Sequence, residues 1–387
     1  MPRPLLSSTL AHGIGMITLR LSTRLAVALA VTACAGTGSA PRTTPAPERP
    51  PSSAGPTVEG TASPSVAPSP SPPPLQALLD DWRLVREGSD GIGLVVDGVL
   101  LANNFEDATV TRFDPDTLEP LEPFTFGTRP GTFPPDAQTI APGRGGVWVT
   151  LASQHAVVLI DPTSGTVLRT IELDGYPYTL VEDGNDLWVA DYERSRVSRI
   201  DLTTGMVAAK IPVLHPTAIA VGGGSVWAAL HVGRAAEHEP IEGNGGQVAR
   251  IDPTTHDVTL IDVGPRPYFL AVGFGSVWTG NATGASVSRV DMATNESTTI
   301  PIFQDGAFDI EVVGDSVWVA VGPQWSTPAC QPDDPTSSFF ARIDPSSNAV
   351  ERVAFPCPDG FALDGDRVWV SGHDADGPIT WLLEPAQ

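Results

Sequence analysis

Near the middle of the chain runs the sequence Gly222-Gly223-Gly224-Ser225-Val226-Trp227-Ala228-Ala229. It has the pattern of an apolar strand that begins just after a glycine turn. Related phrases surround five further tryptophans, and a seventh copy has leucine in that place: Trp148, Trp188, Trp278, Trp318, Trp369 and Leu100. A unit repeated about every 40 to 50 residues indicates a radial or stacked array in which each unit packs on its neighbours.

A second apolar strand precedes each copy at a constant distance. Eight residues before the tryptophan position, every copy has a large apolar side chain: Ile140, Leu180, Ile219, Leu270, Ile310, Phe361 and Ile92. The next residue is small or apolar in six copies, and Glu311 is the exception. The short Gly/Asp turn between the two strands favours a hairpin. We interpret the repeated tryptophans as core packing between neighbouring units rather than as a ligand cage.

A third strand ends in Arg-Ile-Asp-Pro or a close variant, as at residues 250–253. The aspartate caps a turn, the proline presets φ, and a residue that tolerates left-handed backbone follows: Gly165, Gly205, Asn295 and Asn348. We interpret the arginine as a solvated or cross-strand paired residue. A fourth strand follows, as at residues 167–173. Four strands in each of seven units predict an all-β fold, a seven-bladed β-propeller of four-stranded blades.

The last unit ends at Gln387, directly after its third strand. Residues 82–88, which precede the first unit, resemble the missing fourth strand in pattern. We therefore predict that an N-terminal strand completes the last blade and closes the ring. Because each blade buries its apolar faces only against its neighbours, residues 76–387 are expected to form one domain and to be monomeric.

The N-terminal region predicts export and a lipid anchor. Arg20 and Arg24 precede an apolar run, residues 25–30, that is too short to span a bilayer but suits a signal peptide. Residues 31–34, Val-Thr-Ala-Cys, resemble a bacterial lipobox, so Cys34 is expected to be lipidated after removal of residues 1–33. The start is either Met1 or Met16, and an ordinary secretory signal with an incidental cysteine is the alternative. A lipidated Cys34 places the protein at the outer face of the bacterial cell membrane.

Residues 34–75 follow as a tether rich in Pro, Ser, Thr and Ala. Such a composition does not bury a core, and we expect a disordered segment that reaches roughly 120 Å. Acidic residues outnumber basic ones 45 to 22, for a formal charge of −23. This charge excludes nucleic acid as a partner, because a polyanion would be repelled.

In such blades, the loops between second and third strands and the blade connections open on one face, called here the top face. The long insertions of the chain fall in these loops, at residues 232–246 and 322–338, so we predict the ligand site there. Candidate catalytic residues are His215, His231 and Glu311. Candidate ligand-binding residues lie in the same connections and loops: Tyr176, Tyr178, Arg266, Tyr268, Phe308, Asp309, Asp359 and His373.

Two carboxylates and two cysteines raise further hypotheses. Strand alternation places Asp309 and Glu311 on one face of an inner strand, where they would bind a divalent cation, share a proton or act as acid and base. The alternative is that Glu311 faces a water-filled channel. No other cofactor is predicted. Cys330 and Cys357 both map to top-face segments, and outside the cytoplasm they are expected to form a disulfide.

The phrase Pro-x-x-hydrophobic-Ala-Val-Gly-x-Gly-Ser-Val-Trp, followed by Arg-Ile-Asp-Pro-x-Thr, resembles the YVTN repeat and virginiamycin B lyase-like propellers over residues 82–387. The resemblance implies a propeller that serves as a binding platform, a sensor or an enzyme. The lyase subgroup opens a cyclic lactone with a divalent cation, but its Leu-Trp-Phe-Thr-Glu phrase is replaced here by Val-Trp-Val-Ala or similar. No catalytic residue is therefore transferred.

Two functions remain open from the sequence. The first is an anchored scaffold that binds a protein, a peptide or an envelope glycan on its top face. The second is a lyase or lactonase that acts at the channel mouth, with His215 or His231, the pair Asp309 and Glu311, and a divalent cation.

Overall fold

The computed structural model describes residues 82–86, 93–96, 98–104, 108–114, 120–126, 136–231, 246–304, 306–322, 339–354, 358–364, 367–374 and 377–383. All of them belong to one compact unit, Ala67–Gln387. The predictions for the signal peptide, Cys34, the tether, Cys330 and Cys357 lie outside these residues. Within them, no helix is long and apolar enough to cross a membrane.

The described part of the chain is almost entirely β-strand, with one turn of 3-10 helix at Ala152–Gln154. In chain order the strands are β1 (Trp82–Arg86), β2 (Gly93–Val96), β3 (Val99–Asn104), β4 (Thr109–Phe113), β5 (Phe124–Thr125), β6 (Asp136–Gly143), β7 (Gly146–Leu151), β8 (Ala156–Ile160), β9 (Val167–Glu172), β10 (Pro177–Asp183), β11 (Asp186–Asp191), β12 (Arg196–Asp201), β13 (Met206–Pro212), β14 (Pro216–Gly222), β15 (Ser225–Leu230), β16 (Gly246–Ile251), β17 (Val258–Val263), β18 (Pro267–Gly273), β19 (Ser276–Asn281), β20 (Ser286–Asp291), β21 (Ser297–Pro301), β22 (Ala307–Val313), β23 (Ser316–Val321), β24 (Phe339–Ile343), β25 (Val350–Ala354), β26 (Pro358–Asp364), β27 (Arg367–Asp374) and β28 (Gly377–Leu383).

These strands form seven antiparallel sheets of four strands each. Blades 1 to 6 take four consecutive strands, from β2–β5 through β22–β25. Blade 7 takes β26, β27 and β28, and β1 pairs with β28 as its outer strand, with Trp82 opposite Leu383. The first strands of the blades contact one another in sequence, and β26 contacts β2. The predicted seven-bladed propeller and its closure by the N-terminal strand are therefore confirmed.

The tryptophans fill the seams between blades. All six are at most 2% exposed, and Leu100 has the same burial in blade 1. Trp188 of blade 3, for example, packs with Ile219 and Val226 of blade 4. The interpretation of these residues as core packing is confirmed. Each blade covers the apolar face of the next, which explains why the repeat forms a ring.

The turns between third and fourth strands follow one rule around the ring. In the turn of blade 4, Asp252 Oδ1 accepts the backbone N–H groups of Thr254 and Thr255. Four residues after the aspartate, the backbone is left-handed in blades 2 to 6: Gly165, Gly205, His256, Asn295 and Asn348. The predicted turn chemistry is present, with His256 in the place that the other blades give to Gly or Asn.

The arginine of the third strand links one blade to the next. Arg250 stands opposite Trp227 across the sheet, and its guanidinium lies 5.1 Å from the centre of that ring. It also donates to the Met292 carbonyl and to Asn295 Oδ1, both in the turn of blade 5. Cross-strand pairing was expected from the sequence. The bridge to the neighbouring blade was not, because it depends on how the blades are arranged.

Candidate binding site on the top face

The first strands of blades 2 to 7 share a register irregularity near their top ends. In blade 3 it falls between Pro177 and Thr179, so Tyr178 is the extra residue, and in blade 5 Tyr268 has the same place. A β-bulge of this kind bends the strand and redirects the side chain of the extra residue. The bulges therefore release these two tyrosines from the regular alternation of the blade.

Tyr178 and Tyr268 meet although they belong to blades 3 and 5. Their hydroxyl groups hydrogen-bond to each other. Blade 4 has the smaller Thr217 in the equivalent place, and its buried side chain bonds to the Ala229 and Pro267 carbonyls. Burial raises the pKa of both phenols above the usual value for tyrosine. Both side chains therefore stay protonated at neutral pH and act as hydrogen-bond donors.

Tyr192 joins this pair to two histidines. Its ring centre lies 5.7 Å from that of Tyr178, 4.9 Å from that of His215 and 6.0 Å from that of His231, with which it is stacked. Its hydroxyl oxygen is 2.8 Å from His231 Nδ1, at hydrogen-bond distance. All these side chains are half-buried. Together with Arg266 they form the tyrosine–histidine cluster, which consists of Tyr178, Tyr192, His215, His231, Arg266 and Tyr268.

Sequence reasoning missed Tyr192, although a signal was present. Tyr192 is four residues after Trp188, and His231 is four residues after Trp227. The register of the blades makes these positions equivalent, at the top end of the second strand. A comparison of all residue types at this position, rather than of histidines alone, would have identified it.

The orientation of His215 follows from one backbone contact. Its Nδ1 lies 2.9 Å from the Tyr192 carbonyl oxygen and 3.3 Å from Ser195 Oγ. Because a carbonyl oxygen only accepts, Nδ1 carries the proton, and in the neutral ring Nε2 is the basic nitrogen. His215 also has a left-handed backbone, with φ 39°. The ring is held in one tautomer by the blade connection.

The charge of Arg266 acts on two of the phenols. Its positive charge lowers the pKa of Tyr192 and of Tyr268, which opposes the larger effect of burial. Its backbone is left-handed, with φ 55°, and the equivalent residue of blade 6 is Gly306, with φ 98°. Its Nε is buried and has no hydrogen-bond partner among the described residues. A strained backbone and an unsatisfied polar atom in one residue are typical of functional positions.

A smaller aromatic group lies next to this cluster, between blades 2 and 3. The rings of His155 and Tyr176 are 4.6 Å apart, and the Arg194 guanidinium lies 5.8 Å from the centre of the Tyr176 ring. His155 Nδ1 is 3.0 Å from the Gly175 carbonyl oxygen, which fixes its tautomer as in His215. Tyr176 is thus on the top face, but no described contact joins it to the tyrosine–histidine cluster.

Asp309 and Glu311 belong to the seam between blades 6 and 7. Asp309 is buried, with Oδ1 2.9 Å from the N of Ile310 and Oδ2 3.0 Å from the N of Phe361 in blade 7. Burial raises the pKa of Asp309 to about 6. Burial and the charge of Asp309 raise the pKa of Glu311 to about 8.

The Asp309 carboxylate is engaged by the backbone. Both oxygens accept backbone N–H groups, one from Ile310 and one from Phe361 of blade 7. Asp309 therefore ties blade 6 to blade 7. Within the described ranges, no group of three or more His, Cys, Asp or Glu side chains is placed to hold a metal ion, and the side chains of Asp359 and His373 lie outside those ranges. The cation hypothesis for Asp309 and Glu311 stays a prediction.

Of the other candidate residues, Phe308, Asp359 and His373 lie on β22, β26 and β27. Their side chains are outside the described part of the structure. The structure thus brings together five of the predicted residues, adds Tyr192, and leaves Tyr176 and the pair Asp309 and Glu311 in separate places.

Comparisons with known proteins bear on the fold alone. No protein family and no curated protein matches the chain by sequence. A streptogramin B lyase structure is similar at 16% identity and TM-score 0.57, covering 78% of this chain and 97% of that one. The Pan2 WD40 domain of Neurospora crassa has 14% identity and TM-score 0.58, covering 79% and 96%. BamB from Moraxella catarrhalis has 14% and 0.50, covering 76% and 84%. The resemblance stated from the sequence is confirmed at this level: the chain is a β-propeller.

Proposed function

We propose that this propeller is an exported, lipid-anchored binding protein that holds an envelope glycan on its tyrosine–histidine cluster. One observation carries the proposal: six side chains from blades 3, 4 and 5 converge at the top ends of their strands. Bulges and left-handed residues position them, and the repeat itself requires none of them. Variable groups on a rigid scaffold are the usual form of a binding site.

The size and chemistry of the cluster favour a small, ring-shaped ligand. A stable protein partner needs roughly 800 Å² of surface on each side, more than six half-buried side chains offer. Tyrosine rings provide rigid contact area at low entropic cost, because only two χ angles are fixed. Flat aromatic faces suit the faces of sugar rings, and the phenol and imidazole groups suit their hydroxyls. An envelope glycan therefore fits better than a protein.

The anchor is tested by fractionation. Cells that express the full chain are separated into membrane and soluble fractions, and the protein is located by immunoblot. The anchored protein is expected in the membrane fraction, and the Cys34→Ser variant in the soluble one. Membrane retention of the variant would overturn the anchor and leave the ordinary secretory signal.

Binding is tested by co-sedimentation of the full chain with purified peptidoglycan sacculi. The wild-type protein is expected in the pellet, and Tyr192→Ala is expected to remain in the supernatant, because Tyr192 contacts three other members of the cluster. Phe274→Ala is the matched control, since Phe274 is an exposed aromatic residue in the turn between β18 and β19 on the opposite face. Failure of the wild type to sediment, or equal sedimentation of Tyr192→Ala, would overturn the proposal.

His215 favours a second candidate, the lyase or lactonase. Its fixed tautomer leaves Nε2 as a base. The test incubates the full chain with a streptogramin B, followed by liquid chromatography and mass spectrometry. A lyase gives a ring-opened isomer and a lactonase adds one water, and the His215→Asn variant is expected to give neither. An unchanged substrate would exclude this activity.

A further inference from the structure

We infer that the glycan held by the tyrosine–histidine cluster is acidic and that Arg266 receives a carboxylate carried by its sugar ring. This inference rests on the proposed function and specifies its ligand. It follows from the charge around Arg266, from its backbone and from its aromatic neighbours.

The charge of the cluster is opposite to that of the protein. The chain has a formal charge of −23. The cluster nevertheless consists of phenols, imidazoles and one guanidinium, with no carboxylate among its members. Among the described residues, Glu193 is an exposed acid close to the cluster, and its charge adds to the effect of burial in raising the pKa of Tyr192. A positive group among neutral donors in a negative protein is a selective place for an anion.

Arg266 has no anion of its own in the described part of the chain. The ion pairs found there involve Arg196, Arg199, Lys210 and Arg342, and none involves Arg266. Its Nε is buried without a hydrogen-bond partner. An arginine in this state is costly to the folded protein, because a buried donor has lost its water. A ligand oxygen at this place would restore the missing bond.

The backbone of Arg266 supports the same conclusion. Its φ of 55° lies in the left-handed region, where blade 6 has glycine. Side chains other than Gly, Asn and Asp rarely adopt this conformation, because Cβ approaches the following carbonyl oxygen. The chain retains a large charged residue where glycine would be less strained. Together with the unsatisfied Nε, this strain supports a role for Arg266 beyond folding.

The surroundings favour a carboxylate over a phosphate. The planar guanidinium binds either group through two parallel hydrogen bonds. A phosphate brings nearly two negative charges, and here it would meet a single arginine, Glu193 and a strongly acidic protein. A carboxylate brings one charge, which Arg266 balances. The charge of Arg266 also acts on Tyr192 and Tyr268, so a carboxylate bound to it lies among neutral phenols rather than beside a second anion.

The test uses two pairs of sugars in which one member carries a carboxylate and the other does not. N-acetylmuramic acid carries a lactyl carboxylate that N-acetylglucosamine lacks, and glucuronic acid has a carboxylate where glucose has a hydroxymethyl group. Each is titrated into the full chain by isothermal titration calorimetry. The acidic member of at least one pair is expected to bind about tenfold tighter than its neutral partner. The pair that shows the difference identifies the source, peptidoglycan or a uronic-acid polysaccharide.

Variants separate Arg266 from the rest of the site. Arg266→Gln is expected to reduce binding of the acidic sugar to that of the neutral one. Arg194→Gln is the control, because Arg194 is an exposed arginine beside Tyr176 on the same face. Arg266→Lys keeps the positive charge but loses the planar guanidinium that makes two parallel hydrogen bonds. Its affinity for the acidic sugar is expected to lie between those of the wild type and Arg266→Gln.

The outcomes distinguish this inference from the proposed function. If acidic and neutral sugars bind equally, or if neither binds, the inference that Arg266 receives a carboxylate is wrong. Sedimentation with sacculi would still support glycan binding in that case. Acetyl-alanine is a carboxylate without a sugar ring, and if it binds as tightly as the acidic sugars, the assignment to a sugar is wrong. Loss of sedimentation in the wild type overturns the function whatever the sugars do.

Discussion

The two faces of this propeller are built from the same blades but follow different rules. On the bottom face, the same aspartate turn recurs in blades 2 to 6, and an arginine such as Arg250 clasps the turn of the next blade. On the top face, the residue just before the first strand of a blade is His215 in blade 4, Arg266 in blade 5 and Gly306 in blade 6. All three have positive φ. The bottom turns of blades 2 to 6 share the aspartate, whereas the top-face connections into blades 4 to 6 share only the backbone conformation.

The difference indicates a division of tasks. Residues that recur in every blade satisfy backbone groups and join neighbours, so they stabilise the ring. Residues that differ among blades carry the chemistry of the site, and two of them, His215 and Arg266, occupy a backbone that glycine would adopt more easily. This division can be tested by titration and by substitution on each face.

The carboxyl groups of the two regions should respond to pH in different windows. Burial raises the pKa of Asp309 and Glu311 in the folded protein, so the folded state binds more protons than the unfolded one between about pH 4 and 8. Stability should therefore fall by on the order of 3 kcal/mol as pH rises from about 5 to 8. Urea denaturation at both pH values measures this.

The control is the double variant Asp309→Asn, Glu311→Gln. Its free energy of unfolding should depend less on pH, because the two carboxyl groups are gone while all histidines remain. The bottom aspartates, such as Asp252, have a lowered pKa because backbone N–H groups bond their carboxylates. Their contribution is lost only as pH falls below about 4, so they do not act in this window. Stability that rises from pH 5 to 8 would contradict the raised pKa values.

An arginine that donates to the turn of the next blade should contribute to stability on the bottom face, whereas an exposed arginine on the top face should not. Arg289 lies 4.8 Å from the centre of the Trp278 ring and donates to Asn348 Oδ1 of blade 6. Arg289→Ala should lower the free energy of unfolding by about 2 kcal/mol. Arg194→Ala removes an exposed top-face arginine and should cost less than about 0.5 kcal/mol. Equal losses in urea denaturation would refute the division.

The left-handed residues of the bottom turns should tolerate only residues suited to that backbone. Asn348 has φ 58° and accepts a hydrogen bond from Arg289. Asn348→Ala and Asn348→Gly both remove this bond, so their difference isolates the backbone. The alanine variant should be the less stable by about 1 kcal/mol. Two equal melting temperatures would show that the turn has relaxed.

The top face should lose function without losing stability. Arg266→Gly removes the strain at φ 55°, although glycine increases the entropy of the unfolded chain. Its free energy of unfolding should stay within about 0.5 kcal/mol of the wild type while glycan binding falls. Gly306→Ala, at the equivalent place in blade 6, should be destabilising. If Arg266→Gly is destabilised as much as Gly306→Ala, Arg266 has a structural role.

The repeats in the sequence were sufficient to predict the architecture of this protein. The recurring Gly-Ser-Val-Trp strand and Asp-Pro turn specify hairpins of constant length, and each apolar face is satisfied only by a neighbouring copy. The number of copies gave the number of blades, and the incomplete last unit predicted the pairing of β1 with β28. Local periodicity was sufficient because each contact repeats between adjacent units.

Only the tertiary structure decided which top-face residues meet. Tyr178 and Tyr268 are far apart in the chain and belong to blades that are not adjacent, and their contact depends on two bulges and on the smaller Thr217 between them. Likewise, the structure shows that the Asp309 carboxylate accepts the backbone N–H of Phe361 in the next blade. No periodic pattern encodes such contacts, because they depend on the curvature of the ring and on bulges that interrupt the alternation of side chains.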